Sequence, residues 1–479
     1  MAVRDTLFVG QRDSEGVESF RGIPFAQPPI GEGRWRRPIP WQGEGGSYDA
    51  TEFAPACMQT GSGLAWYHGM MRRVGVDPSN MKGPRYSEDC LYLNIWTDLD
   101  AEGGRPVLIF IHGGSNTGGW SYEPNYHGES LVRRDVVVVT VAYRLGVFGW
   151  LSHPEMEARN LALYDLAMSL DWVYQHIANF GGDPNRITVS GESSGATNAL
   201  HLAVSPLSQG RVGGLIHQSG GWPLDDTPDR NEATARGVEL ARRALDGQTG
   251  LEALRRVPAE RVMALAGEVY ADFQLDPIED PESLPVTLES MAASGSIAAI
   301  PMLIGTNADE RLMYLKADGT LDQLLQSRVA MAQQAEVRAY LSGAGDELQQ
   351  RNQLGTALDF LCPSLKLASL VEKNSGAAWV YRFDRVRPGF EAIGAYHGAE
   401  LPYVFDRHDP WLPSSEVDDR LTERMLDYWT SFITVGKPDS ERGGQWLRWS
   451  TGQTTALFND GVSFTEHPDL ELCRLIRGA

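Results

Sequence analysis

Several things are scarce in this 479-residue chain. It has only four cysteines, Cys57, Cys90, Cys362 and Cys473. They are too few and too scattered for a disulfide scaffold, and none sits in Cys-x-x-Cys spacing, which leaves out the common zinc and redox motifs. Positive charge is also in deficit: 42 Lys and Arg stand against 63 Asp and Glu, for a formal net charge of -21. Nucleic acids and anionic membrane surfaces call for basic patches, so this balance argues against both. Apolar runs such as Val136–Val139 are short beside the roughly 20 residues of a membrane span. The opening "MAVRDTLFVGQRDSEG" has no basic segment followed by an apolar one, and no Asn-x-Ser/Thr acceptor occurs; both read as a cytoplasmic form. Walker loops, dinucleotide fingerprints and H-E-x-x-H are absent too, so no cofactor and no metal is expected.

What is present is an ordinary globular composition, 42% hydrophobic and 22% charged. The clearest pattern lies between Pro106 and Val204. "PVLIFIHGG" is a short apolar strand running into glycines, and "DVVVVTVAYRLG" is a β-branched run of the kind buried on both faces of a sheet. Leu163, Leu166, Leu170, Val173 and Ile177 recur at helical spacing. "FGGDPNRITVSG" predicts a turn and another buried strand, and "SSGATNALHLAV" returns to helix. Strands alternating with helices mean parallel pairing and an α/β sheet. The segments from about 225 to 299 and from 321 to 373 read as helical cover inserted over the strand ends. The whole of 1–479 is expected to be one domain.

The stretch "TVSGESSGATNAL" holds three serines in one turn. Sliding G-x-S-x-G along it leaves one frame, Gly191-Glu192-Ser193-Ser194-Gly195. In a nucleophile elbow the serine sits on a tight strand-to-helix turn, and the residues two away on either side approach so closely that only tiny side chains fit. A strand precedes and a helix follows, so Ser193 is the candidate nucleophile. Helix capping is the plain alternative for Ser190 and Ser194. The amide of Ser194 would face a developing oxyanion. "IHGGSNTGG" at 111–119 ends a buried strand in glycines and offers further amides; an ordinary glycine-rich turn is the other reading.

Beyond these residues the chain resembles the type-B carboxylesterases, the α/β-hydrolase family that includes the cholinesterases and bacterial para-nitrobenzyl-esterase-like members. "FRGIPFAQPPIGEGRWRRP" at 20–38, "SEDCLYLNIW" at 87–96, "FGGDPNRITVSGESSG", "GAYHGAELPYVFD" at 394–406 and "YWTSFITVGKPD" at 428–439 carry the likeness in order. The resemblance implies an α/β-hydrolase fold, a mostly parallel sheet flanked by helices with helical insertions over the active site. It implies a serine carboxylic-ester hydrolase working by two-step acyl transfer on small-molecule esters. It selects Glu310, not its neighbour Asp309, as the triad acid and His397 as the base, giving Ser193, Glu310 and His397. It places the oxyanion amides on Gly114, Ser115 and Ser194, and gives Ser219 in "HQSGG" a role supporting the acid–histidine pair, a helix-start serine being the alternative. Cys57 and Cys90 match a pair bridged in secreted relatives, but a chain without a secretory signal is expected to keep them as free thiols.

Three positions depart from the family pattern. Ser115 and Asn116 stand where a small residue and an aromatic are usual, and Leu166 follows Asp165 where glutamine is usual. The same machinery acting on a carbamate, amide or lactone is the first alternative, and a non-catalytic adhesion or binding relative the second. Trp66, Tyr67 and Met70 are candidates to line the pocket, packing being the alternative. A monomer or small homo-oligomer is expected.

Overall fold

The computed structural model describes residues 1–221, 227–295 and 297–477. Asp225, Asp226 and Ser296, within the first stretch of expected cover, lie outside them. The framework is an eleven-stranded sheet. Its strands are β1 (Gln11–Arg12), β2 (Glu18–Pro24), β3 (Tyr92–Thr97), β4 (Arg105–Ile111), β5 (Val137–Val141), β6 (Gly182–Glu192), β7 (Gly214–Gln218), β8 (Pro301–Asn307), β9 (Ala377–Phe383), β10 (Thr454–Phe458) and β11 (Val462–Glu466). In space they run β11-β10-β9-β8-β7-β6-β4-β5-β3-β2-β1. The six pairings from β5 through β4 and β6 to β10 are parallel. Both flanks are antiparallel, β3 to β1 on one side and β11 on the other. The parallel middle is thus the region where strands and helices alternate in sequence.

Every residue of β4 and β5 is buried. Alternate residues enter different cores, as the two-residue period of a strand requires. Val107, Ile109, Ile111, Val137, Val139 and Val141 join helix α1 (Leu161–His176) on one face. Leu108, Phe110 and Val138 join helix α4 (Glu416–Val435) on the other, through Met425, Trp429 and Phe432. Helix α4 opens with Ser415 and Asp418 capping each other's backbone, and ends at Gly436 in the left-handed conformation, φ 68. Between them these helices close both faces of the parallel strands, which leaves only the strand ends open to a ligand.

The first expected cover segment contains helices Arg230–Ala244, Leu251–Arg255, Ala259–Val269 and Leu288–Ser294, entered between β7 and β8. The second, between β8 and β9, contains Leu321–Arg328, Gln334–Leu341, Glu347–Thr356, one π-type turn at Ala357–Leu361, and helix α3 (Cys362–Lys373). The continuous run Glu347–Lys373 is 27 residues long and apolar enough by composition to cross a membrane, contrary to the sequence reading. Its most apolar window is 78% buried inside the protein, so its apolarity serves the core.

The cysteines correct the sequence expectation. Cys57 is bridged to Cys90, not free, and Cys362 is bridged to Cys473. The expectation of thiols came from compartment and not from distance, and nothing local in the sequence places Cys362 beside a residue 111 positions on. Asp165 is also accounted for. It accepts from Arg144 Nε at 2.8 Å, Nη2 at 2.7 Å and the backbone amide at 3.1 Å, while Leu166 packs fully buried in the core.

Candidate active site

Register brings four strand ends together. Gly191 on β6 lies opposite Ile111 on β4, Glu192 opposite Gln218 on β7, and Gln218 opposite Gly305 on β8. In parallel α/β sheets ligands bind at this carboxyl edge. Immediately beyond β6, Ser193 adopts φ 57, ψ -131, a backbone conformation rare for a residue with a side chain, and helix α2 (Ser194–Val204) starts at the next residue. The glycines on either side are sterically required. A Cβ on Gly191 would lie 2.3 Å from the Gly195 carbonyl carbon, and a Cβ on Gly195 would lie 2.1 Å from the Ile111 oxygen.

Across the strand ends, His397 is 7% exposed and Glu310 is fully buried. His397 Nδ1 donates to Glu310 Oε2 at 2.6 Å. The other carboxylate oxygen accepts from Ser219 Oγ at 2.6 Å and from the Asn307 amide at 2.7 Å. An ionised carboxylate only accepts, so this arrangement fixes the proton on Nδ1 and turns Nε2 toward the serine side. There Nε2 stands 3.2 Å from Glu192 Oε1, close enough for an ion pair but without the alignment of a hydrogen bond. Burial works to lower the imidazole pKa, yet the carboxylates of Glu192 and Glu310 outweigh it and hold His397 above its usual value. Burial lifts the Glu192 carboxyl above the ordinary range, with His397 opposing. The Ser193 hydroxyl donates to no described residue.

On the third side, the turn after β4 holds Gly114 at φ 108 and Ser115 at φ 54. Both are exposed toward the cavity, and the amides of Gly114, Ser115 and Ser194 donate to no described residue. The next residue, Asn116, is fully buried. Ser193, Glu192, His397, Gly113, Gly114 and Ser115 line one cavity of about 370 Å³. Trp66 and Tyr67 line it as well. Met70 does not: it lies on the same helix face, one turn from Trp66, but is fully buried in the core. The cavity is also lined by Glu123 and Asp409, which burial lifts to about 7 and about 6.

Sequence reasoning missed a layer behind these groups. Glu400, fully buried, accepts from Gln218 Nε2 at 3.0 Å and from Asn307 Nδ2 at 2.6 Å. Asp309, passed over as the triad acid, instead ties the acid loop to the histidine loop through the Ala395 amide at 2.8 Å and accepts from Asn352 at 2.7 Å. Glu400 lies three residues after His397, and that spacing was the one signal available.

The carboxylesterase family model matches residues 7–465. The chain is 34% identical over 507 residues to a fumonisin B1 esterase of Sphingopyxis macrogoltabida, covering 97% of this chain and 87% of that one. It is 30% identical over 480 residues to the para-nitrobenzyl esterase of Bacillus subtilis (strain 168), covering 95% and 94%. A solved para-nitrobenzyl esterase structure superposes with a TM-score of 0.83 at 30% identity, covering 98% of this chain and 97% of that one.

Proposed function

The chain belongs to the carboxylesterase family, and from that premise we propose that it hydrolyses small-molecule carboxylic esters through a Ser193–His397–Glu310 triad and a backbone oxyanion hole. His397 takes the Ser193 proton as the oxygen attacks the ester carbonyl. Glu310 holds the imidazole in the Nδ1–H form and stabilises its cation. The amides of Gly114, Ser115 and Ser194 hold the tetrahedral oxyanion, each such donor being worth about 10²–10³ in turnover. The alcohol leaves with the proton returned by His397, and water then hydrolyses the acyl-enzyme by the same route. The observation that carries this reading is the convergence on one cavity of an elbow serine, a histidine fixed by a buried carboxylate, and Gly114 and Ser115, whose amides donate to no described residue, with the Ser194 amide next to the serine.

Ser193 and His397 share no hydrogen bond in this structure, and catalytic hydrogen bonds often tighten only once substrate is bound. Labelling with a fluorophosphonate followed by peptide mapping tests the assignment. Label on Ser193 that disappears in His397→Ala is the expected result. Label on Ser194, or none on folded protein, sinks it. A matched ester, carbamate and anilide then test the bond class, the ester being expected to react fastest.

A further inference from the structure

Asn116 stands where the family pattern has an aromatic residue, and the acyl-transfer chemistry gives its side chain nothing to do. Yet each of its polar groups is engaged, by three separate parts of the chain. Its amide donates to Ser194 Oγ at 3.2 Å, and its carbonyl accepts from the Gly146 amide at 2.6 Å. Its side-chain Nδ2 donates to Asp276 Oδ1 at 2.6 Å, and its Oδ1 accepts from Asn198 Nδ2 at 2.7 Å. Asp276 as a carboxylate only accepts, so the amide orientation is forced and the chain of donors runs Asn198 to Asn116 to Asp276. Asn116 holds φ 58, a left-handed conformation that asparagine tolerates better than most residues.

These bonds join both sources of oxyanion donors. Ser115 precedes Asn116 directly, Ser194 receives the Asn116 amide, and Asn198 lies one turn further along helix α2. The segment bearing Asp276 is itself anchored. Ile278 donates its amide to Asn160 Oδ1 at 3.0 Å and accepts from Asn160 Nδ2 at 2.7 Å, at the head of helix α1. We infer that Asp276 is a positioning residue: through Asn116 and Asn198 it clamps the Gly114–Ser115 turn against the nucleophile helix and fixes the spacing of the oxyanion amides. The inference rests on the oxyanion hole proposed above. A buried amide orphaned by loss of its acceptor costs free energy and rearranges, and displacement of a donor by about 1 Å is enough to lose about 100-fold in rate.

Asp276→Ala removes the acceptor. Asp276→Asn keeps an acceptor oxygen without the charge. Asn116→Asp sets two carboxylates face to face, and adding Asp276→Asn to it restores a donor–acceptor pair in reverse. Turnover of an activated ester is measured alongside the affinity of an aryl trifluoromethyl ketone, which forms a tetrahedral oxyanion on the serine. Asp276→Ala is expected to lower kcat about tenfold to 100-fold with KM little changed, and to weaken trifluoromethyl ketone binding in parallel. Asn116→Asp should lose more, the reversed pair should recover most of it, and Asp276→Asn should stay near the parent. Unchanged kcat and ketone affinity in Asp276→Ala, whatever its thermal stability, overturns the clamp. Should Asp276→Ala not fold, failure of the reversed pair to recover kcat over Asn116→Asp overturns it instead. Ser193→Ala run in parallel separates the two readings: if it retains turnover, the site assignment falls and the clamp with it. If it is inactive while Asp276→Ala is unaffected, only the clamp falls.

Discussion

At the scale of single residues, the charges around His397 decide when it can act as a base. Two buried carboxylates, Glu192 and Glu310, hold its pKa up. A general base must be unprotonated, so the acid limb of kcat/KM against pH should lie above the ordinary histidine value of about 6.5. Glu192→Gln removes one of the two charges and should move that limb to lower pH; a limb that stays put would mean Glu192 is not the charge that matters. Ser219 bonds the far oxygen of Glu310 in a fully buried setting. Hydrogen bonds to charged groups contribute about 1.5–3 kcal/mol, so Ser219→Ala should cut kcat/KM about tenfold or more, and steady-state kinetics on one activated ester would show it. The legibility of these residues differed for physical reasons. Ser193 could be read from steric necessity, because its two glycine neighbours leave a mark in sequence. Glu310 and His397 have no local signature, and only the family likeness picked them from 63 acids and ten histidines. Glu192 sits inside the elbow motif, yet its contact with His397 comes from a loop 205 residues away and is invisible to any local pattern.

At the scale of elements, the tightest constraint is where helix α2 crosses β4. A methyl on Gly195 would meet the Ile111 and His112 oxygens at 2.1 and 2.6 Å, and neither backbone atom can swing aside. Gly195→Ala should therefore lower the unfolding midpoint and abolish fluorophosphonate labelling together; loss of one without the other would mean the crossing has slack. The Cys362–Cys473 bridge ties the start of helix α3 to the C-terminal helix Leu470–Arg477. Just ahead of Cys362, the π-type turn carries Phe360, whose ring packs 5.0 Å from that of His397 at the cavity wall. Closing a loop of this length contributes about 4–5 kcal/mol in the chain-entropy model. The Cys362→Ser, Cys473→Ser double variant should unfold at clearly lower denaturant, and an unchanged midpoint would show the bridge to be idle. The strands and helices between Pro106 and Val204 were legible because β-branched runs and helical periodicity are local. The antiparallel flanks were not, since partners such as β2 and β3 meet across some 70 residues of intervening chain. The Cys57–Cys90 bridge was misjudged from the expected compartment, and the Cys362–Cys473 bridge was not foreseen because spacing along a chain says nothing of distance across it.

At the scale of the whole molecule, buried titratable groups set the response to acid. Burial depresses His112, His127, His201, His217 and His408 to about 4 and His467 to about 3. Unfolded, these imidazoles would take up protons near pH 6.5, so between about 6.5 and 4 the unfolded chain binds protons that the folded one refuses, and stability falls as pH falls. Burial acts oppositely on Glu123, Glu192, Asp309, Glu400 and Asp409, whose raised pKa values cost stability as pH rises above the ordinary carboxylate range. Eight depressed histidines, His153 and His176 included, outnumber the five raised acids and the raised His397, so the thermal midpoint should drop on going from pH 6.5 to 4.5. A midpoint that holds or climbs over that interval would contradict this balance. None of this could be read from composition, because a net charge of -21 does not say which ten or so groups are out of reach of water.

The proposed site is assembled from residues 113–115, 192–194, 219, 310 and 397, collected by the order of strands β4, β6, β7 and β8. On a ribosome the histidine emerges some two hundred residues after the serine, and the strand that flanks the acid, β9, arrives only shortly before it. On the proposed mechanism, an N-terminal fragment ending before His397 turns over no ester, however well its own strands have paired. Hydrolysis of a chromogenic ester would therefore count only molecules whose chain has passed His397 and whose distant strand ends have come together.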